Sequence, residues 1–398
     1  MISNRLTVPV LVIASLMTAA AVFPAAANPI YASNGLGMFV DDLPGRPASM
    51  GGAGVANADG KNMLRDNPAL LSAFTIHSYS FGASHVKSSV SADMVDDADI
   101  AQTRAEVLKL VIPLWRGLTL GWGISPLTRT DSIIEYSYGD YTDRTTFKGG
   151  INVSSLSIAG SFRNIVRLGI SYNYNFGMIE ESWDREFESD EFDDSTDTIK
   201  KKYKGNGFTV CAVARVWGNT SVGIGYTGKT DLDVTVRVRP GQFSYPEKTF
   251  STRNRSLPAR WRLGVTSVFM RRFTASADLS LANWEDIAKT QEERDMFTNT
   301  YRVGAGIRYA PAQFTGIPYY RKLAISAGFK FGTMYYKSYP TIDTVTEKAV
   351  TFGLEFPFLE NVASLITSFE YGTRGVKNDN GWDESYSRIG LLLIGTIK

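Results

Sequence analysis

Val166-Arg167-Leu168-Gly169-Ile170-Ser171-Tyr172-Asn173-Tyr174-Asn175-Phe176 alternates without a break. Val166, Leu168, Ile170, Tyr172, Tyr174 and Phe176 are apolar or aromatic, and the residues between them are small, polar or charged. Successive side chains of a strand point to opposite faces, so this segment is a strand with one apolar and one polar face. Strands of soluble sandwiches run for about 5–6 residues, whereas a tilted strand crossing a bilayer needs about 9–11. The length favours the bilayer. Aliphatic and aromatic groups outward, with small and polar groups inward, is the arrangement of a transmembrane barrel.

The same period returns at Phe208, Val210, Ala212, Ala214 and Val216, and again at Phe273, Ala275, Ala277, Leu279 and Leu281. A fourth instance is Leu323, Ile325, Ala327, Phe329 and Phe331. Such runs fall near 74–91, 104–115, 117–129, 149–163, 165–178, 203–217 and 219–239, then near 250–269, 271–285, 299–310, 321–336, 345–358, 361–373 and 384–397. The pattern predicts an all-β fold, an antiparallel transmembrane barrel of about 14 strands over residues 74–398. Tight turns at Arg116-Gly117, Arg163-Asn164, Gly218-Asn219, Met270-Arg271 and Leu359-Glu360-Asn361 alternate with mostly long connections at 92–103, 130–148, 179–202, 240–249, 286–298 and 374–383, the longer link around Pro311 to Tyr320 being an exception. Short periplasmic turns and longer outer loops sort in this way. Trp115, Trp217, Phe269 and Phe358 fit an inner aromatic girdle, and Trp183, Trp261, Trp284 and Trp382 an outer one.

At the N-terminus, Arg5, the apolar Thr7–Ala20 and Ala25-Ala26-Ala27 compose a secretory signal peptide over 1–27, with the mature chain expected to start at Asn28. Beyond it no run of about 18 apolar residues occurs, so the expected membrane crossing is by strands. The single cysteine, Cys211, gives no intrachain disulfide framework, and a net charge of +2 points to no nucleic-acid partner. Two histidines, His77 and His85, leave little material for a metal centre, and no nucleophile–histidine cluster or phosphate loop is present. Neither catalysis nor a cofactor is expected. The acidic run Glu181–Asp197 lacks the spacing and central glycine of a calcium loop and reads as a solvated outer loop. Lys200-Lys201-Lys202 after it could meet anionic lipid or lipopolysaccharide.

Residues 28–73 differ from the rest. They lack long alternation and are rich in Gly, Ala, Asn and Asp, yet carry Ala53, Val55, Met63, Leu64, Leu70 and Leu71, which a free tail would rarely hold. A compact plug in the lumen would bury them. Arg46, Met50-Gly51-Gly52-Ala53, Val55-Ala56, Asp59 and Asn67-Pro68-Ala69, followed by Ser256–Val265 with Asp278 and Trp284, by Tyr319-Tyr320-Arg321, and by Tyr371-Gly372, resemble the FadL/TodX-type family of outer-membrane transporters for hydrophobic compounds. The resemblance implies a barrel closed by an N-terminal hatch, with ligand leaving sideways where the third strand kinks. It implies hatch or ligand roles for Arg46, Met50, Gly51, Gly52, Asp59, Asn67, Pro68 and Ala69. On the third strand Gly121, Gly123 and Pro126 supply the chemistry of a bend, since proline lacks a ladder donor, with the alternative that Pro126 only ends the strand near the outer rim. The C-terminal Gly395-Thr396-Ile397-Lys398 departs from the family's terminal aromatic, a residue used in recognition by the barrel assembly machinery.

Inward phase also places Arg167, Arg215, Arg262, Asp278 and Lys330 in the lumen, where they would pair with one another, with the hatch, or with a ligand carboxylate. The expected function is passive uptake of long-chain fatty acids or aromatic hydrocarbons across the outer membrane of a Gram-negative-type cell. The alternative is a barrel serving protein secretion or surface attachment, as in type IX secretion. N-terminal sequencing of the protein purified from outer membranes is expected to begin at Asn28.

Overall fold

The computed structural model describes residues 35–397 apart from 93–94, 116, 190, 242–245, 312–316, 338–342 and 359–361, and leaves the side chains of 92–100 and 252–254 undescribed. The expected signal peptide, residues 28–34 and the turn at 359–361 lie outside the described residues. The wall is built from β2 (His77–Ala92), β3 (Val95–Trp115), β4 (Leu118–Pro126) and β6 (Ser132–Ser137), then β7 (Tyr141–Phe162), β8 (Val166–Phe187) and β9 (Ser195–Trp217). It continues through β10 (Thr220–Thr227), β11 (Thr230–Arg239), β12 (Lys248–Leu257) and β13 (Arg260–Phe269) to β14 (Phe273–Ala282), β15 (Thr300–Tyr309) and β16 (Ala324–Thr333). Last come β17 (Thr346–Phe358), β18 (Ala363–Arg374) and β19 (Trp382–Ile397). With β4/β6, β10/β11 and β12/β13 each following one path, these elements make a closed antiparallel barrel of 14 strands. Closure is by β19 against β2, in register from Trp382↔Ala92 to Ile397↔His77. No described helix is long and apolar enough to cross a membrane.

The alternation read from the sequence is the alternation of exposure. Leu168, Ile170 and Tyr172 on β8 are each more than half exposed, while Ser171, Asn173 and Asn175 between them are buried. Phe208 and Val210 face outward on β9, and Thr209, Cys211 and Val213 inward. The outward residues gain from burial in lipid, at roughly 25 cal/mol per Å² of apolar area. Trp115 and Trp217 are strongly exposed at the turn end, and Trp183 and Trp261 outside toward the loop end. Trp284 and Trp382 are buried instead, so the outer-girdle expectation fails for these two. Trp284 stacks on Tyr335 at 3.9 Å, and Phe39 meets Trp284 edge-on at 4.8 Å. These rings form an aromatic lid over the loop end.

Several expected loops prove to be strand. β3 starts at Val95 rather than near 104, β7 at Tyr141 rather than near 149, and β8 continues to Phe187. The extensions of β7 and β8 carry polar residues on both faces, so no hydrophobic period announces them. Cross-strand pairs hold them, among them Arg185–Asp143 at 2.7 Å, Arg144–Glu135 at 2.8 Å and Lys200–Glu180 at 3.0 Å. Exposed pairs contribute roughly 0.2–1 kcal/mol each. The barrel is therefore lopsided: β7, β8 and β9 have 22, 22 and 23 residues, while β14, β15 and β16 have 10 each.

At the turn end, Arg163 and Asn164 both have positive φ, 50° and 55°, and Ile165 N–H donates to the Phe162 carbonyl at 3.0 Å. That is a mirror-image two-residue hairpin, for which Asn-Gly is the favoured pair. The double variant R163N/N164G relieves left-handed strain and is expected to raise stability by about 1 kcal/mol in detergent unfolding experiments.

Candidate functional site

Residues 35–73 touch strands on both sides of the barrel, the turn Ala48–Met50 meeting β15 to β18 and the turn Pro68–Ala73 meeting β4 and β7 to β9. The segment thus occupies the lumen. Close approach of backbone to wall is what its small residues provide. A Cβ at Gly51, whose φ is +68°, would collide with the Phe329 carbonyl, and the Gly51 amide donates to Thr351 Oγ1 at 2.9 Å. The wall answers with its own glycines. A Cβ at Gly304 or Gly328 would strike the Gly51 backbone, one at Gly306 would strike Met50, and across the barrel one at Gly169 would strike Pro68 and Ala69. Gly52 also has positive φ and lies against Asp42.

Asn67 ties the segment to itself. Its Oδ1 accepts from Ala69 N–H at 3.0 Å, capping the turn that begins at Pro68, and its Nδ2 donates to the Val55 carbonyl. Val55 N–H and Gly54 N–H in turn donate to Asp278 Oδ2 on β14, at 2.8 and 2.7 Å.

Three ionic nodes anchor the segment. Asp42 meets Lys330 at 2.9 Å and Arg302 at 2.8 Å. Asp66 meets Arg65, Arg262 and Arg260 at 3.1, 3.2 and 3.4 Å. Arg46 holds Asp59 and, at 2.7 Å, Glu355, which also takes Arg308 at 2.7 Å and Lys61 at 3.2 Å. Behind the first node, Lys330 reaches Glu370 at 2.6 Å, and Arg374 bridges Glu347 and Glu384 at 3.0 Å each. Burial pushes the Asp42 carboxyl up, but Lys330 and Arg302 outweigh it and hold that group well below its usual range. Burial acts likewise on Asp66, and Arg65, Arg260 and Arg262 overcome it.

Of the lumen charges expected from inward phase, Arg262, Asp278 and Lys330 thus touch the segment, and Arg167 donates to Ser72 Oγ at 3.2 Å. Arg215 is exposed at the turn-end mouth. Asp41, Asp42, Asp66, Arg302, Glu347, Glu355 and Glu370 were not anticipated. Phase alone could have shown four of them, because Arg302 lies between outward Tyr301 and Val303, and Glu347, Glu355 and Glu370 share the buried phase of their strands.

The third strand leaves the wall after Pro126. After Pro126, whose carbonyl accepts from Arg65, β5 (Thr128–Arg129) turns inward and pairs with β1 (Met38–Phe39) of the luminal segment. A Cβ at Gly121 would meet Leu71, and one at Gly123 would meet Lys109. β4 pairs with β3 only from Leu108 to Trp115, and β6 pairs with β7. Among the described residues no strand covers that edge of β3 before Leu108. Side chains close the seam: Asp131 takes Arg104 and Gln102, the latter at 3.2 Å, and Arg129 approaches Glu106 at 4.0 Å. Gln102 Oε1, Glu106 Oε2, Arg129 Nε, Thr130 Oγ1 and Ser132 Oγ have no hydrogen-bond partner there. The seam is the least satisfied part of the wall.

Against this geometry, the family model described as BamG matches residues 1–394. The chain belongs to the BamG family. No curated protein matches its sequence. In fold this BamG-family barrel is similar to a FadL homologue of Pseudomonas aeruginosa, with a TM-score of 0.62 at 11% identity over 91% of this chain and 100% of that one. It is similar also to the Pseudomonas putida toluene transporter TodX (0.58, 16%, 90% and 99%) and the Ralstonia pickettii toluene transporter TbuX (0.54, 14%, 90% and 100%). The likeness anticipated from the Gly-Gly and Asn-Pro-Ala segments is thus found in the fold, while the family carries another name. The BamG-family chain is an outer-membrane-type β-barrel.

Lys330→Met removes the nearest cation from buried Glu370 and leaves Asp42 with Arg302 alone, and is expected to cost about 3–5 kcal/mol, measured by denaturant unfolding in detergent. Because the folded-state values of Asp42 and Asp66 are depressed, their contribution to docking is complete above the ordinary carboxylate range and is lost as pH falls through the lowered values. Protease cleavage within 35–73 is therefore expected to rise on acidification and to stay flat between pH 6 and 8.

Proposed function

We propose that this barrel passes amphiphilic small molecules, long-chain fatty acids ahead of bare aromatic hydrocarbons, with residues 28–73 as a movable hatch and the β3–β6 seam as the sideways exit. The seam carries the reading: it is where opening breaks side-chain contacts rather than a strand ladder. Its lining of Gln102, Arg104, Glu106, Arg129 and Asp131 suits a ligand with a polar or acidic head better than a plain hydrocarbon. The role suggested for Arg46, Met50, Gly51, Gly52, Asp59 and Asn67-Pro68-Ala69 is to latch the hatch, and that for Gly121, Gly123 and Pro126 is to set the bend.

Passage requires the hatch to move. Beside Asp42, Arg46 and Lys109 the free space is about 30 Å³, and beside Phe39 and Tyr335 about 60 Å³, against the roughly 300–1,000 Å³ of a ligand pocket. Uptake of a labelled long-chain fatty acid is expected to fall in a deletion strain and to return with the wild-type gene. Restoration by a variant whose hatch is cross-linked to the wall would refute passage through the lumen, and unchanged uptake of several ligand classes on deletion would end the transport reading.

The family match favours a second reading, in which the barrel is a companion of the β-barrel assembly machinery, as the Bam prefix of the family name suggests. A filled lumen suits a scaffold as well as a resting channel. Stoichiometric recovery of assembly-machinery subunits with the tagged barrel from solubilised outer membranes would support this reading, and an isolated barrel would oppose it. The type IX secretion alternative gains nothing from the relatives described above.

A further inference from the structure

A cavity lies away from the seam, at the turn-end mouth. It measures about 250 Å³ and lies between the segment's Asn57–Asp59 stretch and the inner faces of β8, β9, β10 and β13. Arg167 and Arg215 both line it. Val213 pairs with Arg167 across the β8–β9 ladder, which makes Arg215 the diagonal neighbour of Arg167 on the same inward face. Diagonal neighbours on a sheet are within reach of one another when their side chains are long, so the two guanidinium groups share one space. Each buried arginine described above faces a carboxylate, whereas half-buried Arg167 and exposed Arg215 stand at the mouth. Here the only carboxylate in the lining is Asp59, and Arg46 holds it. Among the described residues no ion pair reaches Arg167 or Arg215.

We propose that this mouth cavity is a binding site for a phosphate group. Two guanidinium forks from neighbouring strands offer more planar donors than the two oxygens of a carboxylate can take up, whereas a phosphate presents three or four oxygens to both forks. The side-chain amides of Asn57, Asn164 and Asn219 complete the lining as neutral donors. Ala56, Ala58, Ile165 and Val213 supply apolar wall for the body of an ester. Free phosphate and the headgroup of a phospholipid carry the same chemistry. The site is separate from the seam and independent of whether anything crosses the lumen.

The test is calorimetric titration of the folded barrel in a sugar-based detergent and phosphate-free buffer. Inorganic phosphate, glycerophosphoethanolamine and acetate are the probes. Phosphate is expected to bind, acetate to bind at least about tenfold more weakly, and R167Q and R215Q each to weaken phosphate by about tenfold or more. Arg163, on the hairpin turn outside the lining, serves as the control, and R163Q should leave affinity unchanged. Tighter binding of the headgroup than of phosphate assigns the site to lipid, and the reverse to the free ion. In the unaltered protein, phosphate should also protect Arg215 from phenylglyoxal, read by mass spectrometry, a result independent of how any variant folds. Absence of binding, equal affinity in the R167Q/R215Q double variant, or acetate binding as tightly as phosphate would overturn the assignment.

Discussion

Hydrocarbon offers no partner to a peptide N–H or carbonyl, so a sheet placed in it must close on itself. The ladder between β19 and β2 meets that demand, and the rest of the molecule is arranged around it. Closure fixes which face of every strand is outside and therefore where Leu168, Phe208 and Phe329 must go. It also makes the uncovered edge of β3 before Leu108 stand out as a feature with a cause. The chain after Pro126 gives up its place in the wall to pair with Met38–Phe39, and polar side chains cover what is left.

A closed wall creates an interior, and the interior here is filled by charge matched to charge. Lys330 alone in that space would carry the cost of a desolvated ammonium. With Asp42 from the segment and Glu370 from β18 it becomes part of a lattice. Wall and segment are thus each incomplete without the other. The same mutual dependence holds for shape, because Gly51 and the wall glycines Gly304 and Gly328 leave room for one backbone to lie against another.

Strand number and phase were legible because lipid imposes a strict two-residue rule over long runs, as at Val166–Phe176. The lengths of β3, β7 and β8 were not, since residues such as Tyr141–Thr146 stand clear of lipid and have no apolar side to declare. Trp284 and Trp382 show the converse: tryptophan is at home at a membrane interface and in a packed cluster alike, and only the position of Phe39 and Tyr335 distinguishes them. Inward charges such as Arg262 and Lys330 could be placed by parity. Their partners Asp41, Asp42 and Asp66 could not, because a segment without periodicity carries no phase from which to deduce facing residues.

The luminal segment precedes every wall strand in the chain, yet its contacts extend to Glu355 and Thr351 on β17. The part made first must therefore be the part enclosed last. At the loop end the segment's own Phe39 packs against Trp284 of the wall, so that cluster exists only when thread and ring are together. The early-emerging thread therefore lacks part of its anchorage until the late strands are in place, and the late strands lack theirs until the thread is seated.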